Sequence, residues 1–283
     1  MIEVISLRYG TAFKKAFRDP EVFTAFVRDA TGVSIDITEV QQEYSYKETI
    51  GRVKIEYDLF AEDTKHRTIV ELQHIRDDDT FERFLYYHII ALIDQVHGHQ
   101  RYAFDRDVIT LVVLTRDIRD KRWQFDWAEV NFDVHNVQGT ALGIFNHRLV
   151  FVNARRVSAT TPAALRPWLE MVEDSLDGKV DEGRFTNDLL QRVIQRIRVD
   201  RVDPEEAMRL KDEATWEVAK ADARADGERK GRADGLADGL AEGEKKGRIM
   251  AMKDAARRLV DAGHSPEDAA RLLGITVEDL QEP

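Results

Sequence analysis

Between Ala12 and Val27 the apolar residues return every third or fourth position. Ala12, Phe13 and Phe17 form one group, and Phe23, Phe26 and Val27 continue it. This period predicts helix through the first 30 residues. Asp19-Pro20 divides it, as an N-cap followed by proline at the first helical position, and Gly32 ends it. The period then shortens to two. "ITEVQQEYSYKE" (37 to 48), "RVKIEYDLFAE" (52 to 62) and "RTIVELQHI" (67 to 75) read as strands. The second run puts Val53, Ile55, Tyr57 and Leu59 on one face, and Lys54, Glu56, Asp58 and Phe60 on the other. The third sets Val70 and Leu72 opposite Ile69, Glu71, Gln73 and Ile75. The polar link Asp63-Thr64-Lys65-His66 is short, so these two runs should pair as a hairpin.

Helical spacing comes back at Phe81, Phe84, Leu85, His88, Ile89, Leu92, Ile93 and Val96, an apolar stripe of four turns. "DVITLVVLTRD" is apolar throughout and suits a strand covered on both faces. "EVNFDV" and "RLVFVN" predict further short strands. The order helix, three strands, helix, strand implies a mixed α/β layer architecture.

From about residue 160 the pattern is helical only. "TPAALRPWLEMVEDSL" and "RFTNDLLQRVIQRI" are amphipathic. Glycines then fall at 227, 231, 235, 239, 243 and 247, a period of four among Ala, Asp, Glu, Lys and Arg. Each glycine costs a helix about 1 kcal/mol relative to alanine. Charge pairs such as Asp226 and Lys230, four residues apart, offset a few tenths of that. The stretch reads either as a weakly helical spacer or as a surface on which two helices approach closely. In the tail, Ser265-Pro266 is a helix start and Gly274 a stop, in a small helix-turn-helix-like arrangement. The expected organisation is a sheet-bearing domain over 1–155, a helical extension over 156–215, the glycine-rich linker over 216–252 and the tail over 253–283.

Composition narrows this picture. The net charge is -11, with 15 Lys+Arg and 20 Asp+Glu from residue 201 onward, so the acidity is spread along the chain. Bulk charge does not advertise broad duplex binding. There is no cysteine, which excludes disulfides, thiol nucleophiles and thiolate-bound zinc and fits a reducing compartment. No apolar run approaches the roughly 18 residues of a membrane span. "MIEVISLRYG" has neither the basic nor the apolar region of a secretory signal, so a cytoplasmic protein is expected.

The chemistry centres on acids inside apolar strands. A buried carboxylate needs a partner or a metal. In a hairpin, same-face side chains on neighbouring strands lie about 5 Å apart, which would set Asp58 beside Glu71. A hard cation such as Mg²⁺, held by one or two carboxylates, waters and phosphate oxygens, answers their repulsion. It would acidify a water for in-line attack on phosphorus, and Gln73, two residues on, would orient that water or the phosphate. The plainer alternative is an edge hairpin with one solvated face, and Glu56 reads as a solvent-facing acid. Arg83 and Tyr87, one turn apart opposite the apolar stripe, either reach a phosphate and a base or sugar, or stack on each other at the surface. Lys14 and Lys15 are phosphate contacts or solvated charges. His97-Gly98-His99 has no third metal ligand at useful spacing and reads as a helix end.

Asp on the second strand, Glu-x-Gln on the third and this order of elements resemble the PD-(D/E)XK nuclease superfamily. "AFKKAF", Arg83 and Tyr87 in "FERFLYYHII", the glycine-rich charged stretch and "AGHSPEDAARLLGITVEDL" resemble, more narrowly, the Rpn family of recombination-promoting nucleases, the YhgA-like proteins also described as transposases. The likeness covers roughly residues 5 to 155 and, more loosely, the tail. It implies a PD-(D/E)XK-like core with a central mixed sheet, followed by an all-helical region. It also implies a Mg²⁺-dependent bacterial DNA endonuclease with Asp58, Glu71 and Gln73 as catalytic residues. Asp58 and Glu71 would be the metal ligands, Lys54, Arg83 and Tyr87 would support them, and Lys14 and Lys15 would touch DNA. Two departures stand out. Gln73 occupies the superfamily's usual lysine position, so Lys54 or Arg83 would supply the positive charge. Gly10 occupies a place where many relatives carry an acid. Assembly through the C-terminal helices, giving a homo-oligomer, is the further expectation. The alternative is a catalytically inactive nuclease-like domain that binds DNA or scaffolds protein assembly.

Overall fold

The computed structural model describes residues 1–46, 55–74, 81–96, 104–116 and 124–278, apart from the side chains of residues 220, 221 and 224. Residues Met1–Ala214 form one compact unit and Thr215–Pro283 a second.

The first unit begins with a two-residue strand, β1 (Ile2–Glu3), where the sequence predicts helix. Two helices follow, α1 (Gly10–Phe17) and α2 (Pro20–Thr31). The Asp19 carboxylate accepts from the Glu21 and Val22 N–H groups at 3.0 and 3.3 Å, and Gly32 closes α2 in the left-handed region at φ 73°. The predicted helix starts and stops therefore hold at Asp19-Pro20 and Gly32.

Strands β2 (Gln41–Tyr44), β3 (Tyr57–Glu62) and β4 (His66–Gln73) come next. They are shorter than the runs read from the pattern, because residues 37–40 and 55–56 are not strand. Helix α3 (Glu82–Ile93) leads to β5 (Asp107–Leu114), β6 (Trp127–Asn131) and β7 (Arg148–Asn153). These six strands form one mixed sheet in the order β2-β3-β4-β5-β7-β6. β3 and β4 pair antiparallel, as the hairpin reading expects, whereas β4, β5 and β7 run parallel. A parallel step requires a long crossover, and α3 provides the one from β4 to β5. Every residue of β5 after Asp107 is buried.

Helix α4 (Arg166–Asp174), the short strand β8 (Lys179–Val180) and helix α5 (Asp188–Ile197) complete the packing. β8 pairs antiparallel with β1. α1, α2, α4 and α5 cover one face of the sheet, burying Phe13, Phe17, Phe26, Trp168 and Ile194 against Leu59, Val70, Leu111 and Val150. α3 covers the other face, with Ile90 and Ala91 against Phe60 and Ile69, and Phe84 against Val112 and Phe151.

Helix α6 (Pro204–Asp261) starts in the first unit and continues through all six period-four glycines. In the second unit α7 (Pro266–Leu273) follows, capped by Ser265 and stopped by Gly274 at φ 67°. Ala256, Ala269 and Ala270 are buried there. Among the described residues, no helix is long and apolar enough to cross a membrane.

Two facings differ from the pattern. Tyr57 packs with Phe60 and Ile69, whereas Leu59 packs in the opposite cluster. The alternation of β3 therefore breaks between them. On α3 the buried positions are Phe84, His88, Ile90 and Ala91, while Leu85, Ile89 and Ile93 remain 39%, 39% and 45% exposed. The apolar arc of α3 is wider than the strip that the sheet covers.

Candidate functional site

The break in β3 is also where the acids meet. Paired positions in the β3–β4 ladder run from Glu62↔Arg67 to Leu59↔Val70. Beyond that pair, side chains take over the backbone donors. The Asp58 Oδ2 accepts the Leu72 N–H at 2.9 Å, and the Glu71 Oε1 accepts the Asp58 N–H at 3.1 Å. Each carboxylate thus crosses to the backbone of the opposite strand, and the two lie side by side. Glu71 is only 3% exposed. Asp58 keeps partial exposure.

The electrostatics follow from that arrangement. Burial pushes the Glu71 carboxyl well above its ordinary range, and the neighbouring Asp58 charge pushes it further. Burial likewise raises Asp58. The Leu72 N–H, Lys14 and Arg83 oppose the rise at Asp58, while the Glu213 charge adds to it. Two cationic side chains, one from α1 and one from α3, therefore act on a pair that remains under-compensated.

Gln73, the last residue of β4, accepts a hydrogen bond on Oε1 from the Arg83 guanidinium. That guanidinium lies over the Phe84 ring at 4.8 Å and over the Tyr87 ring at 5.9 Å. Tyr87 is half-buried against Tyr57, with ring centroids 5.7 Å apart, and its backbone carbonyl accepts from the Tyr57 hydroxyl at 3.0 Å. The structure thus gathers Asp58, Glu71, Gln73, Arg83 and Tyr87 at one end of β3 and β4. Lys54 and the His97-Gly98-His99 triplet lie outside the described residues.

Lys14 and Lys15 are engaged within the chain. Lys14 Nζ reaches the Glu43 Oε1 at 2.6 Å, and Lys15 Nζ the buried Glu206 Oε2 at 2.5 Å. Glu43 occupies the left-handed region at φ 53°, a costly conformation for a residue with a side chain. Glu21, on α2, pairs with Arg192. Among the described residues, no group of three or more His, Asp or Glu side chains gathers at metal-binding spacing.

One residue of this neighbourhood escapes sequence reading. Glu213, on α6, accepts the Gly10 N–H at 2.5 Å and the Thr11 N–H at 3.3 Å, capping α1 from 203 positions away. A Cβ on Gly10 would meet its Oε1 at 3.3 Å. A carboxylate from α6 is thus delivered against the Gly10 backbone. No local signal marks Glu213, since it lies in an ordinary charged helix.

No family model matches the chain, and no match is found among curated proteins or solved structures.

Proposed function

We propose that the chain is a Mg²⁺-dependent DNA endonuclease with its site at the Asp58–Glu71 pair. The observation that supports this most is the reciprocal clamp of the two carboxylates, each spending one oxygen on a backbone N–H of the other strand. Adjacent acids of this burial require positive charge between them. Arg83 and Lys14 act on the pair, yet neither forms an ion pair with it among the described contacts.

The donor set fits a hard cation, since oxygen ligands with waters and substrate phosphates are the usual Mg²⁺ environment. Asp58 and Glu71 would hold it. When bound, such an ion supplies an acidified water and neutralises charge developing on the phosphate. Arg83, held between Gln73 and two aromatic rings, is positioned to receive a phosphate oxygen. Its bond to Oε1 sets the Gln73 amide, whose NH₂ end is a donor for a phosphate or water. Gln73 brings no charge, so the cationic role passes to Arg83 and Lys14. Pairing of two chains through the C-terminal helices would present two such sites to the two strands.

The test is nicking of supercoiled plasmid in Mg²⁺ against EDTA, for the wild type, Asp58→Ala and Glu71→Ala. Nicking that requires Mg²⁺ and falls at least about a hundredfold in both variants, a loss of about 2.7 kcal/mol of transition-state stabilisation, is the expected result. Undiminished nicking in both variants rejects this site.

A second reading draws on the ion pairs of Lys14 and Lys15 and on the absence of a three-ligand group among the described residues. It is a nuclease-like domain that binds DNA or scaffolds an assembly without cutting. It predicts no divalent-cation binding that depends on Asp58.

A further inference from the structure

The carboxyl ends of the three parallel strands open into one cavity of about 550 Å³. His74 follows β4, Thr115 and Arg116 follow β5, and Arg155 lies just past β7. Arg8, from the segment leading into α1, joins this wall. In open α/β sheets, ligands bind in the crevice outside the carboxyl ends of the strands. Here that crevice is lined with guanidinium groups, which match phosphate oxygens in geometry and charge.

The opposite wall is acidic, and its acids are occupied within the chain. Glu173 Oε1 accepts from Arg155 Nη1 at 2.8 Å. Asp174 accepts the Asp181 N–H at 2.8 Å and faces Arg184 at 3.4 Å. Asp177 accepts the Lys179 N–H at 2.9 Å. The basic wall is less well matched. Arg8 Nη2 donates to the uncharged Tyr9 hydroxyl at 2.6 Å, while its Nε is buried with no acceptor among the described residues. Arg116 is exposed at the lip. The exposed Arg116 and Arg155 guanidinium groups are the ones an oxyanion entering the cavity would meet.

The cavity is also tied to the carboxylate pair. It begins at His74, next to Gln73, and the Thr115 N–H donates to the Gln73 carbonyl at 3.2 Å. His74 Nδ1 and Thr115 Oγ1 lie 3.0 Å apart. A strand seated at Asp58 and Glu71 and crossing the carboxyl edge of the sheet would enter this cavity with its neighbouring phosphates.

We propose that the cavity formed by Arg8, Arg116 and Arg155 is a second phosphate-binding site, taking the DNA backbone beside the bond addressed by Asp58 and Glu71. The identity of the ligand rests on the endonuclease reading. Glu173 holds Arg155 in the resting chain, and a phosphate oxygen replaces it when DNA binds.

The experiment is fluorescence anisotropy of a labelled single-stranded DNA oligonucleotide in EDTA, where no bond is cut, over a salt series. Arg116→Ala/Arg155→Ala should weaken binding about tenfold at low salt. It should flatten the log–log salt dependence by about 1.4, near 0.7 for each lost phosphate contact on a single strand. Glu173→Gln, which frees Arg155, should tighten binding. Arg116→Ala alone, at an exposed position, gives the same sign if the double variant fails to fold. Wild-type affinity and slope in Arg116→Ala and Glu173→Gln overturn the proposal. So does arginine-dependent binding of inorganic phosphate alone, with DNA binding unaffected. The two readings fail differently. Plasmid left uncut by the wild type in Mg²⁺ removes the endonuclease reading and leaves arginine-dependent DNA binding standing. Nicking lost in Asp58→Ala and Glu71→Ala, with DNA binding unchanged in the arginine variants, removes the cavity alone.

Discussion

Glu71 places a carboxyl where the fold disfavours its charged form. Burial and the Asp58 carboxylate both raise its pKa, so in the metal-free chain its ionised form weakens the folded state. A carboxyl raised on folding contributes stability that is present at low pH and lost as pH rises through its folded value. Glu71→Gln in EDTA at pH 7 should therefore raise stability. Urea unfolding checks this, and a loss of stability would mean that the charge is already compensated. His88 has the opposite sign. Its Nδ1 lies 2.9 Å from Thr110 Oγ1, its ring stacks on Phe132 at 4.8 Å, and burial together with His147 depresses its pKa from 6.5 to about 3. Its stabilising contribution is complete above about pH 6.5 and is lost as pH falls towards 3, by up to about 1.4 kcal/mol per pH unit. In His88→Leu the fall in stability between pH 6.5 and 5, measured by urea unfolding, should flatten; an unchanged slope would place that titration elsewhere. The acids at 58 and 71 were legible because carboxylates among Ile, Val and Leu stand out. Glu213 was not, because its importance lies in a contact with Gly10 that no local pattern encodes.

Among the elements, period and punctuation carried most of the information. Asp19-Pro20, Gly32, Ser265-Pro266 and Gly274 mark helix ends by backbone chemistry, and the helices begin and stop there. Facing was harder to read. Tyr57 leaves the face of Leu59 because the ladder gives way, next to Leu59↔Val70, to backbone N–H groups donating to the acids themselves. The pattern alone could not show that the acids at positions 58 and 71 would interrupt the pairing that its alternation assumed. On α3, hydrophobicity extends past the covered strip, so periodicity marked Leu85 and Ile89 as core when they are exposed. The glycine-bearing helix poses the sharpest element-level test. A Cβ at any glycine from Gly227 to Gly247 would meet nothing within 4 Å, while six glycines weaken a helix by roughly 6 kcal/mol at about 1 kcal/mol each. Close pairing of two chains along this stripe would offset that weakness. Gly235→Ala/Gly239→Ala should then raise the dimer dissociation constant about tenfold, or about 1.4 kcal/mol, in sedimentation experiments. An unchanged mass with a more stable helix would show that the stripe is simply solvated.

For the molecule as a whole, the order helix, three strands, helix, strand was readable, and with it a mixed α/β layer. The sheet order β2-β3-β4-β5-β7-β6 depends on long-range pairings that periodicity does not carry. The same holds for the role of α4 and α5, which bury Trp168 and Ile194 in the core of the sheet itself. Both proposed sites, the carboxylate pair and the arginine cavity, lie near the carboxyl ends of the parallel strands. They join residues from near the N-terminus to Asp177, and they unite only through this topology. With a net charge of -11, binding of a polyanion would need such a local basic wall.

Cation binding at the strand ends of β3 and β4 is the premise of the proposed cutting chemistry. Isothermal titration of Mg²⁺ into the wild-type chain and into Asp58→Asn/Glu71→Gln measures it without reference to any substrate. A saturable heat in the wild type that disappears in the double variant is the predicted result. Equal heats in the two proteins, or none in the wild type, would contradict it.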